Sequence, residues 1–173
     1  VPVSRPLRPS SQTWRADAPQ LSPHPSQTPR SNRPDTLKQP ARRNPLSSDM
    51  IAALSAAIAS GNEDANTRVI VIKATGPTFS AGHDLRETRR RDDEGQSDWQ
   101  VRVDKLLQDC AAMMTSILHT PKPIIACVQG IASAAGCQLV SACDLAIASE
   151  DATFCTPGVN IGAFCTTPLV GIG

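Results

Sequence analysis

The apolar positions of this chain follow two periods, and the predicted elements follow from them. Between Ser48 and Gly61, Met50, Leu54, Ala57 and Ile58 recur at helical spacing. Ser47 or Ser48 can cap that helix, Asp49 suits its first turn, and Gly61-Asn62 is its expected end. Arg68-Val69-Ile70-Val71-Ile72-Lys73 is instead a continuous β-branched run, the pattern of a buried strand. Trp99, Val103, Leu106, Leu107, Cys110, Met113, Met114, Ile117 and Leu118 then predict one long amphipathic helix, stopped by Pro121-Lys122-Pro123. A second strand follows at Ile124–Val128, broken at Gly130. The small residues Ser133-Ala134-Ala135-Gly136 open a further helix, and Leu145–Ala148 is a third strand. Strand, turn, helix and strand in that order build a parallel sheet.

Two turns in this pattern are crowded with small residues. One is Phe79-Ser80-Ala81-Gly82-His83-Asp84-Leu85, where Asp84 followed by Glu87 has the form of a capping box. The other is the helix start at Ser133–Gly136. A helix start leaves backbone N–H groups without intrahelical acceptors, and small side chains leave them accessible. Two such donors aimed at one point make an oxyanion hole for a thioester carbonyl. Spacing alone leaves their convergence open.

Composition narrows the rest. The chain has 173 residues, enough for one domain with a sizeable core. Its net charge of +1 gives no electrostatic case for nucleic acid or a membrane surface, and no apolar run reaches spanning length. The six cysteines lie in or beside apolar runs without a CxxC pair, which reads as buried, reduced thiols of an intracellular protein. His24 and His119 have no ligand partners, so no metal site is expected. Residues 1–45 hold ten of the fifteen prolines, and up to Pro34 five arginines stand against one acid. That segment is expected to be disordered, either as a mitochondrial transit peptide or as a plain tail. Arg86–Glu94, with four arginines and four acids, reads as a mobile, exposed loop beside the pocket mouth.

Four motifs in order, FSAGHDL, KPIIACVQG, AAGCQLVSACDLAIAS and FCTPGVNIGAF, make residues 32–173 resemble the enoyl-CoA hydratase/isomerase (crotonase) superfamily. The resemblance implies an α/β crotonase-like spiral of ββα units over residues 46–173, truncated at its C-terminal end. It implies that the backbone N–H groups of His83 and Ala135 are the oxyanion donors, with the His83 side chain a bystander. CoA is expected beside Ala81-Gly82, and Arg42 or Arg43 near its phosphates. No cofactor is implied beyond the CoA thioester as substrate. Ser31–Asp35 and Ala41–Ser47 resemble the family's first loop, split by an insertion at Thr36–Pro40, with the preceding strand missing. Full-length members are expected to form trimers or hexamers; a chain that stops at Gly171-Ile172-Gly173 is expected to lack the helices that drive that packing.

The departures from the family bear most on function. Hydratases carry glutamates where this chain has Gln138 and Gly158, and the isomerase-type carboxylate falls at Thr166. Hydration needs a base to activate water and an acid for the α-carbon. Gln138 cannot take a proton, and Gly158 offers no group at all. Asp84, Asp144, Glu150 and Asp151 are expected to be structural or exposed. The readings left open are a mitochondrial (matrix) acyl-CoA enzyme of fatty-acid metabolism with altered lyase or isomerase chemistry, a non-catalytic acyl-CoA-binding paralogue, and a non-functional fragment.

Overall fold

The computed structural model of the protein describes residues 32–162 and 166–172. Two parallel sheets are threaded by one repeated path. Four strands, β1 (Asn32–Leu37), β2 (Val69–Ala74), β4 (Ile124–Val128) and β6 (Leu145–Ala148), form one sheet in the order β1-β2-β4-β6. Three short strands, β3 (Thr78–Ser80), β5 (Ile131–Ser133) and β7 (Thr153–Cys155), form the other in the order β3-β5-β7. Each pass places one strand in the large sheet and the next in the small one. Helices α1 (Ser48–Glu63), α2 (Leu85–Thr88), α3 (Gln96–His119), α4 (Ala135–Ala142) and α5 (Thr166–Ile172) make the connections and one flank. This is the crotonase-like α/β arrangement that the motifs imply.

The central strands are where the β-branched runs place them. Ile70 and Ile72 of β2 and Ile124, Ala126 and Val128 of β4 are buried, packed with Leu106, Cys110, Met113, Met114 and Ile117 of α3 and Met50, Ile51, Leu54 and Ile58 of α1. Ser47 caps α1 by accepting the Met50 N–H at 3.3 Å. The helix does not stop at Gly61 but runs through Glu63, because Lys122 Nζ donates to the terminal carbonyls of Gly61 and Asp64, both at 2.7 Å. Asp144 begins β6 and locks it to β4: its carboxylate accepts the Ile124 N–H at 2.7 Å, and its own N–H returns to the Ile124 carbonyl. β6 itself differs from a buried strand, since Leu145 and Ile147 are exposed.

Several expectations need correction. Residues 32–37 are not an unstructured loop before an insertion but the edge strand β1, paired in parallel with β2 along its whole length. Pro34 lacks an N–H, and an edge strand is the place in a sheet that tolerates this. Order therefore begins by Asn32 rather than at Leu46; the disorder expected for residues 1–31 lies outside the described residues. The turn before α4 contains a strand of its own, β5, so the helix starts at Ala135 and not at Ser133. Leu107 and Leu118 leave the buried stripe of α3 and are exposed. Among the thiols, Cys110 and Cys137 are buried, Cys127 and Cys143 half-buried and Cys155 exposed; Cys165 lies outside the described residues.

The charged 86–95 segment is exposed but not loose. Arg102 of α3 donates to both carboxylate oxygens of Glu94 at 2.7 Å, and also to the carbonyls of Glu87 and Arg89. Trp99 Nε1 donates to the Thr88 carbonyl at 2.8 Å. The Arg102 guanidinium holds the Glu94 carboxyl at about 2. Because the folded value lies below the unfolded one, this contact is fully present above about pH 4.5 and is lost as pH falls toward 2. Amide protection factors across residues 86–95 are therefore expected to fall between about pH 4.5 and pH 2, ahead of those in β2 and β4. Arg102→Ala is expected to lower the same protection factors at pH 7.

A buried polar residue holds the loop before α1. Asn44 takes a left-handed backbone, φ 48°, and is fully buried. Its side chain accepts the Gln39 N–H at 2.8 Å and donates to the carbonyls of Thr75 at 2.9 Å and Thr78 at 2.8 Å. Asn44→Ala leaves these three groups unpaired and loses the residue best suited to that backbone. A loss of about 3 kcal/mol or more is expected in urea unfolding.

Candidate active site

The two small-residue turns meet. Ser80 ends β3; its hydroxyl donates to the Asn44 carbonyl at 2.8 Å and accepts the Gly82 N–H at 3.3 Å. The Ala81 N–H reaches the Arg43 carbonyl, and the Leu46 N–H reaches the Gly82 carbonyl at 2.8 Å. Leu46 and His83 thus form a parallel bridge. In parallel pairing the residues flanking the bridge carry its hydrogen bonds, so the His83 N–H faces away from Leu46. Asp84 then caps α2 by accepting the Arg86 N–H at 3.2 Å. The expected reciprocal bond from Glu87 is not made; Glu87 instead accepts from the backbone and hydroxyl of Ser48.

On the other side, Ala134 precedes α4 with φ 49° and ψ −119°, a conformation that costs a non-glycine residue about 1–3 kcal/mol. Its N–H is tied to the Cys155 carbonyl at 2.8 Å, and its carbonyl accepts the Gln138 N–H at 3.0 Å. The Ala135 N–H, first in the helix, has no intrahelical acceptor. Gly82 has φ 87° and packs against this turn: a methyl group there would stand 2.9 Å from the Ser133 carbonyl and 3.2 Å from the Ala135 nitrogen. Gly136 packs back on the first turn, where a methyl group would stand 2.6 Å from the Ser80 carbonyl.

Beside this junction lies a cavity of about 380 Å³ that His83 and Gln138 line together with Asp104, Leu107 and Cys110 of α3 and Thr167 of α5. The Gln138 Oε1 accepts from the Thr167 hydroxyl at 2.9 Å, and its amide offers an occupant hydrogen bonds but no group that can take a proton near neutral pH. Burial lowers the proton affinity of His83, and the Leu46 backbone and the Glu87 charge counter it less strongly. Its Nδ1 is buried without a hydrogen-bond partner. Burial pushes the Cys110 thiol up to about 11, so it stays protonated near neutrality. A second cavity of about 400 Å³, lined by Val140, Phe154 and Leu169, is apolar and includes neither His83 nor Ala135. Its titratable groups are the thiols of Cys137 and Cys155, and burial raises the first.

His83, Ala81, Gly82, Ala135 and Gln138 therefore come together at one junction. Gly158 does not: it lies buried in the 3-10 turn Pro157–Ile161 after β7 and does not line the cavity. Arg42 is not a free phosphate ligand, because its guanidinium pairs with the Asp84 carboxylate. Arg43 is exposed, in a left-handed backbone at φ 62°. Asp104, Cys110 and Thr167 are lining residues that the motifs do not mark. Asp104, Leu107, Gln108 and Ala111 share one face of α3 at spacings of three and four, but a stripe of mixed polarity carries no hydrophobic signal. Among the described residues no cluster of three or more His, Cys, Asp or Glu could hold a metal ion.

The junction makes a sharp prediction. In an ordinary helix, glycine to alanine stabilises by about 1 kcal/mol. Gly136→Ala is expected to have the opposite sign and destabilise by about 1–3 kcal/mol, since Ser80 must move to admit the methyl group. Thermal or urea unfolding measures this; a gain in stability would show that the two turns are not in contact.

A sequence profile of the enoyl-CoA hydratase/isomerase family matches residues 35–171. The chain is 48% identical over 137 residues to the zebrafish (Danio rerio) protein named enoyl-CoA hydratase domain-containing protein 3, mitochondrial, covering 79% of this chain and 45% of that protein. The human protein of the same name is 44% identical over 136 residues, 79% of this chain and 43% of its own length. A crystal structure of that human protein superposes with a TM-score of 0.73 at 41% identity, over 80% of this chain and 53% of that one. An enoyl-CoA hydratase/isomerase family protein from Silicibacter pomeroyi gives 0.73 at 46% identity, over 81% and 57%. The chain thus spans rather less than half the length of the curated relatives it matches. With the profile running through both turns and the cavity wall, the chain belongs to the enoyl-CoA hydratase/isomerase family.

Proposed function

We propose that this protein binds acyl-CoA or enoyl-CoA thioesters and polarises the thioester carbonyl between the backbone N–H groups of His83 and Ala135. The observation that carries this reading is the packing of Gly82 against Ala134-Ala135, which sets two amide-bearing turns side by side, next to a cavity lined by His83 and Gln138. Fixed amide dipoles in a partly dehydrated site stabilise the negative charge that an enolate or tetrahedral centre develops. Ala81-Gly82 gives CoA a flat backbone surface to lie on. Arg43, exposed and joined to the turn through its carbonyl, is the better candidate for a phosphate, since Arg42 is paired with Asp84.

Hydration is not the chemistry this site favours. The position of the first hydratase glutamate is Gln138, whose oxygen is engaged by Thr167, and the position of the second is Gly158. We therefore read the protein as a thioester-binding member that supports enolate chemistry rather than addition of water. The relatives' names and the Arg- and Ser-rich, acid-poor start of the chain favour a mitochondrial setting in fatty-acid metabolism. The alternative of a non-catalytic acyl-CoA-binding paralogue rests on the same two replaced glutamates.

A single-atom change tests the amide role. Replacing Ala135 by lactic acid turns its N–H into an ester oxygen and keeps the side chain. Titration calorimetry with crotonyl-CoA is expected to show binding weakened about tenfold or more, with the far-ultraviolet spectrum unchanged. Equal affinity in the ester variant would remove Ala135 from the site.

A further inference from the structure

We propose that the His83 imidazole is the proton acceptor of this cavity, a catalytic side chain that serves where the two family carboxylates are missing. The inference rests on the thioester reading above and adds a residue role to it.

Four observations lead there. First, His83 contributes twice to one place, since its backbone lies in the Gly82 turn and its side chain lines the cavity. A carbonyl oxygen held at its amide has the α-carbon only two bonds away, within the span of a side chain on the same residue. Second, no side chain is bonded to the enclosed Nδ1, and the Leu46 backbone is the polar neighbour that acts on the ring, so the imidazole is not tied to another side chain of the fold. Third, burial favours the neutral ring, the form able to accept a proton near pH 7. Fourth, the other polar groups around the cavity are poor acceptors. Gln138 offers an amide N–H, and Cys110 holds its proton to about 11. Asp104 is the one carboxylate in the wall, on the exposed side of α3.

The step balances without a further reagent. The α-carbon C–H bond breaks, its proton passes to the ring nitrogen, and the electron pair moves to the thioester oxygen. The two amides stabilise that oxygen. Return of the proton to the same carbon exchanges it; return to a conjugated carbon moves a double bond. The charged groups around the ring are Glu87 from α2, Asp104 from α3 and the Arg42–Asp84 pair next in the chain. Glu87 acts to raise the ring's affinity for the proton, which helps hold the imidazolium once formed.

The test is deuterium exchange at the α-carbon of butyryl-CoA in D₂O, followed by mass spectrometry, with binding measured in parallel by calorimetry. Wild type is expected to exchange, with a rate that rises with pH through an inflection below 6.5. His83→Gln keeps the backbone N–H and is expected to lose exchange about a hundredfold or more while binding stays within about threefold. His83→Glu supplies another acceptor at the same place and is expected to recover part of the rate, which guards against reading a folding defect as lost catalysis. Asp104→Asn removes the other carboxylate of the wall and is expected to slow exchange far less than His83→Gln. Undiminished exchange in His83→Gln, or loss of exchange in Asp104→Asn instead, overturns the proposal. Wild type that binds butyryl-CoA without exchanging it also overturns the proposal but leaves the thioester-binding reading intact. Wild type that does not bind the thioester removes both.

Discussion

Everything near the candidate site depends on how closely two backbone turns approach. Gly82 lies on Ala134-Ala135 and Gly136 lies on Ser80, each at a distance that excludes a methyl group. That contact fixes the start of α4 relative to the end of β3, and so fixes the two amides relative to each other. It also accounts for the strained backbone of Ala134, which is held between the Cys155 carbonyl behind it and Gly82 in front. The support reaches outward through Asn44, whose side chain joins the β2–β3 turn and whose carbonyl takes the Ser80 hydroxyl. Backbone geometry is the functional element here, and side-chain packing serves to hold it.

How far the sequence foretells this follows from the kind of signal each part carries. β2 and β4 bury one face and half-bury most of the other, so their β-branched runs stand out, and α1 and α3 repeat at 3.6 residues. The short strands do not stand out: β3, β5 and β7 have three residues each and consist largely of small or polar residues. They pair only because the spiral brings them into register. β1 is hidden by proline-rich composition, which describes an average over the segment and misses the few residues that find a partner strand. The two small-residue turns were legible through the family motifs, whereas the cavity wall was not. Its α3 face mixes Asp104 with Leu107 and Ala111, and its α5 contribution, Thr167, depends on tertiary contact alone.

The proposed reading assigns two tasks to different parts of the site. Holding negative charge on a thioester oxygen would fall to the backbone, which substitution alters little provided the glycines stay. Moving a proton falls to side chains, and these are free to change. Gln138 preserves the shape of a glutamate without its basicity, and Thr167 turns its oxygen away from any occupant. On the proposed reading, a site without the two carboxylates still binds and polarises, and the choice of reaction passes to whichever group can accept a proton.

The candidate site draws on two passes of the spiral and the helix between them. Its donors come from the first and second ββα passes, at the β3–α2 and β5–α4 turns, and α3 between them supplies most of the wall. The third pass, β6 and β7, reaches the site indirectly, through the Cys155 carbonyl that holds Ala134. Each earlier strand of the large sheet is covered by the next, β1 by β2, β2 by β4 and β4 by β6. The outer strands β6 and β7 keep their apolar side chains exposed, Leu145, Ile147 and Phe154 among them. Stability at that edge and chemistry at the junction are thus coupled through a single strand. A disturbance of β7 reaches the junction by releasing Ala134, while the His83 turn is anchored separately by Leu46 and Asn44.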